Sequence, residues 1–168
     1  MADTQTVDIR DIPYTDAAGT ERTLAEFGEK AFLIVNVASK CGLTPQYEQL
    51  EQLQKQYAER GLTVIGFPCN QFAGQSPEGN QEMADFCSAT YGTTFPILGK
   101  IEVNGEGRHP VYEALVETPD AQGEAGDIQW NFEKFLVAPD GEVVGRFRPK
   151  TLPDAPEVIA AIEAVLPR

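Results

Sequence analysis

The sequence predicts an α/β protein with a central mixed β-sheet flanked by helices, and three features carry that prediction. Two largely apolar runs, residues 31–37 and 62–67, have the length and composition of strands buried on both faces. A helical pattern separates the two runs, and a strand–turn–strand signal follows further along the chain. A strand, a helix and a strand with short connections form a right-handed βαβ unit, so the two runs should lie parallel.

The helix between these runs is predicted to begin at Thr44 and to end at Arg60. A threonine hydroxyl is a good N-cap, and the Pro45 that follows lacks an N–H group that would be unpaired in the first helical turn. Apolar side chains keep helical spacing up to Gly61, which is expected to end the helix.

Shorter patterns predict the remaining elements. We expect an N-terminal hairpin over 7–25, helices over 80–91 (capped by Asn80), 110–117 and 155–165, and strands over 134–137 and 143–147. Pro139-Asp140-Gly141 is a turn signal that joins the last two strands into a hairpin. A parallel βαβ half followed by an antiparallel half, with helices on both faces, is the plan of the thioredoxin-like fold.

Length and composition predict a single domain over residues 1–168. The formal net charge of −13 favours solubility and repels nucleic acid and anionic membranes. Residues 1–14 lack the apolar stretch of about 7–15 residues that a secretory signal needs. No run approaches the roughly 18 apolar residues of a membrane span. We therefore expect a cytoplasmic protein with no stable membrane association.

Cys41 is the first candidate for chemistry, since it lies between a predicted buried strand and a predicted helix. Free N–H groups at a helix start, helped by the neighbouring Lys40, would stabilise a thiolate, which is the form that attacks an O–O bond. A free cysteine is, however, just as often a small buried apolar residue. Position alone leaves both interpretations open.

Several other chemistries are disfavoured by the residues around this thiol. A dithiol oxidoreductase would carry Cys-x-x-Cys, but position 44 is Thr44, and a peroxiredoxin would carry threonine where Ala38 stands. The only histidine, His109, has no cysteine nearby for a metal site and precedes a proline, which makes it a poor general base. We expect neither a metal nor a cofactor.

Neutral donors are left to stabilise a thiolate, and two segments offer them. Residues 70–75 supply amides that include Gln75, and residues 130–132 supply the indole of Trp130 and the amide of Asn131. Each segment also has a purely structural interpretation, as a polar loop or as a core tryptophan beside a turn.

Three segments resemble the signature motifs of glutathione peroxidases. They read NVASKCG at 36–42, FPCNQF at 67–72 and WNFEKFLV at 130–137, and the likeness extends over about residues 5–166. The resemblance implies a thiol peroxidase whose catalytic residues are Cys41, Gln75, Trp130 and Asn131. Sulfur in place of the family's selenium implies slower chemistry, because a thiol ionises less readily than a selenol.

The same resemblance gives the other two cysteines their expected roles. Cys87 lies in a segment like the one that carries the resolving cysteine in non-selenium, thioredoxin-dependent members, and Cys69 is expected to be structural. The expected substrates are hydrogen peroxide and organic or lipid hydroperoxides. The sulfenic acid on Cys41 would be resolved by Cys87 and the disulfide reduced by thioredoxin. A buried helix-face role for Cys87 is the alternative.

Two alternative interpretations of the function stay open. Glutathione could be the direct reductant, held by a basic cluster of Lys134, Arg146, Arg148 and Lys150, although these could also be ordinary solvated charges. The chain could also sense peroxide and pass its oxidation to a partner protein.

The chain departs from the family pattern at two places. Ser76 stands before Pro77 where an acidic residue is common, which leaves the detailed geometry of this loop open. The stretch between His109 and Trp130 is short and lacks the insertion through which tetrameric members assemble, which implies a monomer.

Overall fold

A computed structural model describes residues 8–167 of the chain. Its helices and strands, in chain order, are β1 Tyr14–Thr15, β2 Glu21–Arg22, β3 Ala31–Val37, α1 Gln46–Tyr57, β4 Leu62–Pro68, α2 Asn80–Tyr91, α3 Pro110–Leu115, β5 Lys134–Val137, β6 Val143–Phe147 and α4 Pro156–Val165. Short 3₁₀ turns lie at Ile9–Asp11, Leu24–Phe27 and Ala58–Arg60. The acidic segment in which we expected no secretory signal lies partly outside the described residues.

The central sheet is mixed, as the sequence predicts, with the strand order β4-β3-β5-β6. β3 and β4 pair in parallel from Ala31↔Leu62 to Val37↔Pro68, and α1 makes the crossover between them. β5 pairs antiparallel with β3 and with β6, so the predicted C-terminal hairpin is confirmed. The predicted N-terminal hairpin is present as the short antiparallel pair of β1 and β2.

Successive side chains of β3 point to opposite faces of the sheet, and the core therefore consists of two apolar clusters, one on each face. Phe32 and Ile34 pack on one face with Tyr112 of α3, and Leu33 and Val35 pack on the other with residues of α1, α2 and α4. Every residue of β3 is buried, as expected for a strand with helices on both sides.

Two predicted helix starts are wrong in detail. α1 begins at Gln46, because the Thr44 hydroxyl turns back to accept from the Cys41 N–H and to donate to the Ala38 carbonyl instead of capping the helix. α2 begins at Asn80 itself, whose side-chain oxygen accepts from the Lys100 N–H. In both cases the polar side chain binds a neighbouring segment and not the first turn of its own helix.

The remaining helix predictions are close to the structure. The helix expected over 110–117 ends at Leu115, and the helix expected over 155–165 begins at Pro156. Within residues 8–167, none of the helices combines the length and the apolar character that crossing a membrane requires.

Candidate active site

Cys41 lies in a tight turn between β3 and α1. Its Sγ accepts a hydrogen bond from the Leu43 N–H at 3.3 Å, and its own N–H donates to Thr44 Oγ1 at 3.0 Å. The side chain is 7 % exposed, between Lys40 and Gly42, which are both exposed. Cys41 is therefore a nearly buried residue with an exposed residue on each side of it in the chain.

The donor to the Cys41 sulfur differs from the one that the sequence suggests. α1 begins five residues after Cys41, and a backbone amide of the preceding turn meets the sulfur instead of the helix terminus. Lys40 is also directed elsewhere, since its Nζ lies 3.8 Å from Glu78 Oε2. An amide donor remains, but its source is the turn and not the helix.

Glu78 anchors the loop before α2 to the turn that holds Cys41. The Ser39 hydroxyl donates to both carboxylate oxygens of Glu78, at 2.6 and 2.7 Å. Burial alone would raise the pKa of Glu78, but the Ser39 hydrogen bond and the Lys40 charge hold this pKa below its ordinary value. Glu78 is therefore an anion that fixes the position of its loop beside Cys41.

A backbone hydrogen bond links Gln75 to Lys40, the residue before Cys41. The Lys40 N–H donates to the Gln75 carbonyl oxygen at 2.9 Å, which places residue 75 against the residue that precedes the cysteine. The Gln75 side chain is half-buried, and its Oε1 accepts from Asn131 Nδ2 at 3.1 Å. The loop of Gln75 thus connects the cysteine turn with the segment that contains Asn131.

Asn131 and Trp130 occupy a turn immediately before β5. Asn131 is fully buried, and within the described part of the chain its Oδ1 has no hydrogen-bond partner. Trp130 packs against both apolar clusters, with Phe72 of the neighbouring loop 5.4 Å from it between ring centroids. A buried polar atom without a partner is costly in a folded protein, so Asn131 Oδ1 needs an explanation.

The structure therefore brings Gln75, Trp130 and Asn131 together and connects them to the residue beside Cys41. It also places Cys41, Cys87 and Phe132 in one apolar cluster, with Trp130 packed at its margin. Amide and indole groups are neutral donors, so this arrangement can stabilise a thiolate and a departing oxygen without a histidine. Among residues 8–167 no three His, Cys, Asp or Glu side chains are grouped so that they could bind a metal ion.

Cys87 lies in the middle of α2 and is fully buried. Burial raises the pKa of its thiol to about 11, and the nearby Tyr47 hydroxyl opposes this rise. The two groups lie side by side without full hydrogen-bond geometry, and the Tyr47 hydroxyl has no partner elsewhere in the described chain. As α2 stands, Cys87 is a protonated thiol that cannot act as a nucleophile.

Cys69 belongs to the cluster on the opposite face of the sheet. It is fully buried, burial raises the pKa of its thiol, and its sulfur lies 3.5 Å from Gln71 Oε1. Cys41, Cys69 and Cys87 are all free thiols in this structure.

The basic cluster that could have held glutathione is not a binding surface. Lys134 is fully buried and donates to Gln46 Oε1 and to three backbone carbonyls, and burial lowers its pKa to about 7. The Arg146 guanidinium is completely buried against Glu133, and Arg148 pairs with Glu133 and Asp120. Of the four side chains, only that of Lys150 is exposed. The other three are neither a glutathione-binding surface nor ordinary solvated charges, so both interpretations from the sequence are wrong for them.

Sequence reasoning also missed a residue that shapes the site. Asn36 is a fully buried amide inside β3, and its side chain binds the turn that carries Trp130. The available signal was a polar residue inside an otherwise apolar strand of seven residues.

Comparison with known proteins agrees with this geometry. The family model described as glutathione peroxidase matches residues 9–116. The chain is 49 % identical to the thioredoxin/glutathione peroxidase BtuE of Escherichia coli, over 90 % of this chain and 93 % of that protein. It is 48 % identical to the hydroperoxy fatty acid reductase Gpx2 of Synechocystis, over 90 % of this chain and 95 % of that protein.

Solved structures confirm the fold. The crystal structure of T. cruzi GPX1 superposes with a TM-score of 0.75 at 34 % identity, over 95 % of this chain and 96 % of that one. A thioredoxin family protein from Chlorobium tepidum superposes with a TM-score of 0.60 at 20 % identity, over 99 % of this chain and 100 % of that one, which confirms the predicted thioredoxin-like fold. The chain therefore belongs to the glutathione peroxidase family, and it is a peroxidase.

Proposed function

We propose that the protein reduces hydroperoxides through Cys41, with Gln75, Trp130 and Asn131 as the donors that stabilise the reacting charges. The observation that carries this proposal is a pair of hydrogen bonds, from Asn131 Nδ2 to Gln75 Oε1 and from the Lys40 N–H to the Gln75 carbonyl, which links both amides to the cysteine turn. The Cys41 thiolate attacks the terminal oxygen of the hydroperoxide. An S–O bond forms, the O–O bond breaks, and the departing alkoxide or hydroxide takes a proton to become an alcohol or water.

We propose that Cys87 resolves the sulfenic acid. Its thiolate attacks the Cys41 sulfur, an S–S bond forms, the S–O bond breaks, and the hydroxide leaves as water after protonation. Cys87 is buried within a helix and has a raised pKa, so α2 must open locally before this attack.

We propose thioredoxin as the reductant, since a dithiol partner can exchange with the Cys41–Cys87 disulfide and leave both cysteines as thiols. The name of the Escherichia coli relative includes both thioredoxin and glutathione. The burial of Lys134 and Arg146, and the ion pairs of Arg148 with Glu133 and Asp120, argue against a basic surface for direct binding of glutathione.

Hydrogen peroxide and lipid hydroperoxides are both proposed substrates. Cys41 is flanked by exposed residues, so a long acyl chain has room to lie along the surface. The Synechocystis relative is named for the reduction of hydroperoxy fatty acids. Rates with hydrogen peroxide and with linoleic acid hydroperoxide should both be measurable, and activity restricted to hydrogen peroxide would remove the lipid part of this proposal.

The test of the catalytic cycle uses each reductant in turn with the wild-type and Cys87→Ser proteins. We expect sustained turnover of the wild type with thioredoxin and its reductase, and one equivalent of peroxide consumed by Cys87→Ser. Cys69→Ser is the control, because Cys69 is buried on the other face of the sheet and should keep sustained turnover. Full thioredoxin-dependent turnover of Cys87→Ser would show that Cys87 is not the resolving residue.

We propose in addition that the protein is a cytoplasmic monomer. The segment between α3 and Trp130 folds back on its own chain, since Arg146 donates to the carbonyls of Thr118 and Gly126. Arg146 therefore anchors the backbone of this segment to the rest of its own chain. Sedimentation equilibrium at micromolar concentration should give the mass of one chain, and a tetramer would contradict the proposal.

A further inference from the structure

Asn36 is a fully buried polar residue near the end of β3, and all the other residues of this strand are apolar. Burying an amide costs free energy unless its donors and acceptor are paired, so its contacts indicate what it does. We infer that Asn36 is a positioning residue that fixes the turn carrying Trp130 and Asn131 relative to Cys41. This inference rests on the proposed function of that turn.

Asn36 holds the turn at three points. Its Nδ2 donates to the Trp130 carbonyl at 3.1 Å, and its Oδ1 accepts from the Glu133 N–H at 3.1 Å. Its backbone carbonyl accepts from the Phe132 N–H at 2.7 Å. A single residue thus bonds to the residues on both sides of Asn131.

These bonds replace the strand ladder at the place where it ends. The antiparallel pairing of β3 with β5 stops at Val35↔Lys134, so Asn36 and Glu133 are opposite each other one step beyond it. The side chain of Asn36 takes the Glu133 N–H, and the backbone carbonyl becomes free for Phe132. The chain can therefore leave the sheet as a turn and still have its amides satisfied.

The turn needs such support because Phe132 has a φ of +67°. Few residues other than glycine adopt this left-handed region, and a bulky side chain is held there only by surrounding contacts. Glu133 adds a second support, because its carboxylate accepts from the Gln129 N–H at 3.0 Å. The turn is fixed from β3 on one side and by its own carboxylate on the other.

Strand β3 also helps to position Cys41, which lies four residues after the end of the strand. Asn131 reaches back to this cysteine turn through Gln75, whose carbonyl accepts from the Lys40 N–H. The positions of the thiol and of its neutral donors therefore both depend on β3. A misplacement of about 1 Å in a catalytic group can lower a rate about 10²-fold, so loss of the Asn36 bonds should slow the reaction with peroxide.

The test uses Asn36→Leu, which preserves the size of the side chain and removes its hydrogen bonds. Because Trp130 is the only tryptophan of the chain, its fluorescence reports directly on the turn. We expect emission at longer wavelength and a 10- to 100-fold lower second-order rate constant for oxidation of Cys41 (roughly, from the sensitivity to misplacement above). Leu33→Ala is the control: it lies in the same strand, is buried in the core and should lower Tm while leaving emission and rate unchanged.

Two results would overturn the inference. One is an Asn36→Leu protein with wild-type emission and a rate within twofold of wild type. The other is a parallel loss of rate in Leu33→Ala, because the effect would then follow stability and not the turn. If Asn36→Leu does not fold, Asn36→Ser gives the same comparison, and NMR of the wild type should detect coupling between the Asn36 side-chain amide and the Trp130 carbonyl carbon. Absence of that coupling would also count against the inference.

Failure of the proposed function gives a different pattern. If Asn131→Ala reacts with peroxide at the wild-type rate, the proposed role of the turn is wrong and the role of Asn36 in the reaction is lost with it. If Asn131→Ala is slow and Asn36→Leu is not, the proposed function stands and the inference about Asn36 alone is wrong.

Discussion

The Asn131 side-chain amide donates a 3.1 Å hydrogen bond to Gln75 Oε1, although the two residues are 56 positions apart in sequence. This bond joins the loop after β4 to the turn before β5, and both lie at the end of the sheet where β3 leads to Cys41. The site is therefore made by three separate segments that meet at one edge of a parallel βαβ unit.

Removal of either amide should slow the chemical step. We expect Gln75→Ala and Asn131→Ala each to lower the second-order rate constant for oxidation of Cys41 by about 10²-fold, the typical cost of losing one donor to a developing charge. Stopped-flow measurement with excess hydrogen peroxide checks this. Gln129→Ala is the matched control, since Gln129 is an exposed amide next to the turn and should be unchanged. Equal rates in all four proteins would contradict the donor roles.

Opening of α2 should depend on pH through Cys87. Burial raises the pKa of this thiol from an ordinary 9.0 to about 11, so the protonated thiol favours the closed helix. That contribution, about 2–3 kcal/mol for a shift of this size, is complete below about pH 9 and is lost as the pH rises towards 11.

Amide hydrogen exchange of α2 checks this prediction, in wild type and in Cys87→Ala. The free energy of local opening should fall between pH 9 and pH 11 in the wild type, and the fall should be smaller in the variant by the contribution of the thiol. Comparison with the variant removes the effects of other groups that ionise at high pH. An identical pH dependence in the two proteins would show that Cys87 is not the titrating group.

Tyr47 should stabilise the contact between α1 and α2 through its ring and not through its hydroxyl. Its ring lies within 6.4 Å, between centroids, of those of Phe86, Tyr91, Phe95 and Phe132, while its hydroxyl has no partner among the described residues. Tyr47→Phe should leave the free energy of unfolding unchanged or raise it by about 1 kcal/mol. Tyr47→Ala should lower it by about 3–5 kcal/mol. Urea denaturation of the two variants measures both values, and a large loss in Tyr47→Phe would contradict this account.

The buried ion pair of Arg146 and Glu133 should contribute to the stability of the protein and not to the binding of glutathione. Both side chains are completely buried, so Arg146→Met removes the buried cation beside the Glu133 carboxylate and leaves Arg148 as its remaining charged partner. This loss should cost about 3 kcal/mol. Guanidinium denaturation measures this cost. Lys150→Ala, the control at an exposed position, should be neutral in stability. A marked rise in the apparent KM for glutathione in Lys150→Ala would restore a binding role for this surface.

The sheet and most element boundaries could be predicted because β3 and β4 are apolar apart from Asn36 and Thr63. Strands buried on both faces allow few placements other than adjacent and parallel ones. The start of α1 could not be predicted, since Thr44 can cap a helix or bind the preceding turn with the same hydroxyl, and the Ala38 carbonyl that decides between the two lies six residues back in the chain.

The members of the candidate site could be named from motif resemblance, but their arrangement could not. Burial of Lys134 and Arg146 was invisible in the sequence, because counting basic residues does not show which carbonyls and carboxylates of the same chain surround them. Asn36 was missed for a related reason: a polar residue in an apolar strand signals a partner, and that partner is 94 residues away.

The central claim is that Cys41 is oxidised by peroxide and resolved by Cys87. Its most direct test is treatment of the reduced protein with one equivalent of hydrogen peroxide, followed by mass mapping of its peptides without reduction. We expect a Cys41–Cys87 disulfide as the main product, with Cys69 still a free thiol. A Cys41 that remains unmodified, or that is linked to Cys69, would contradict it.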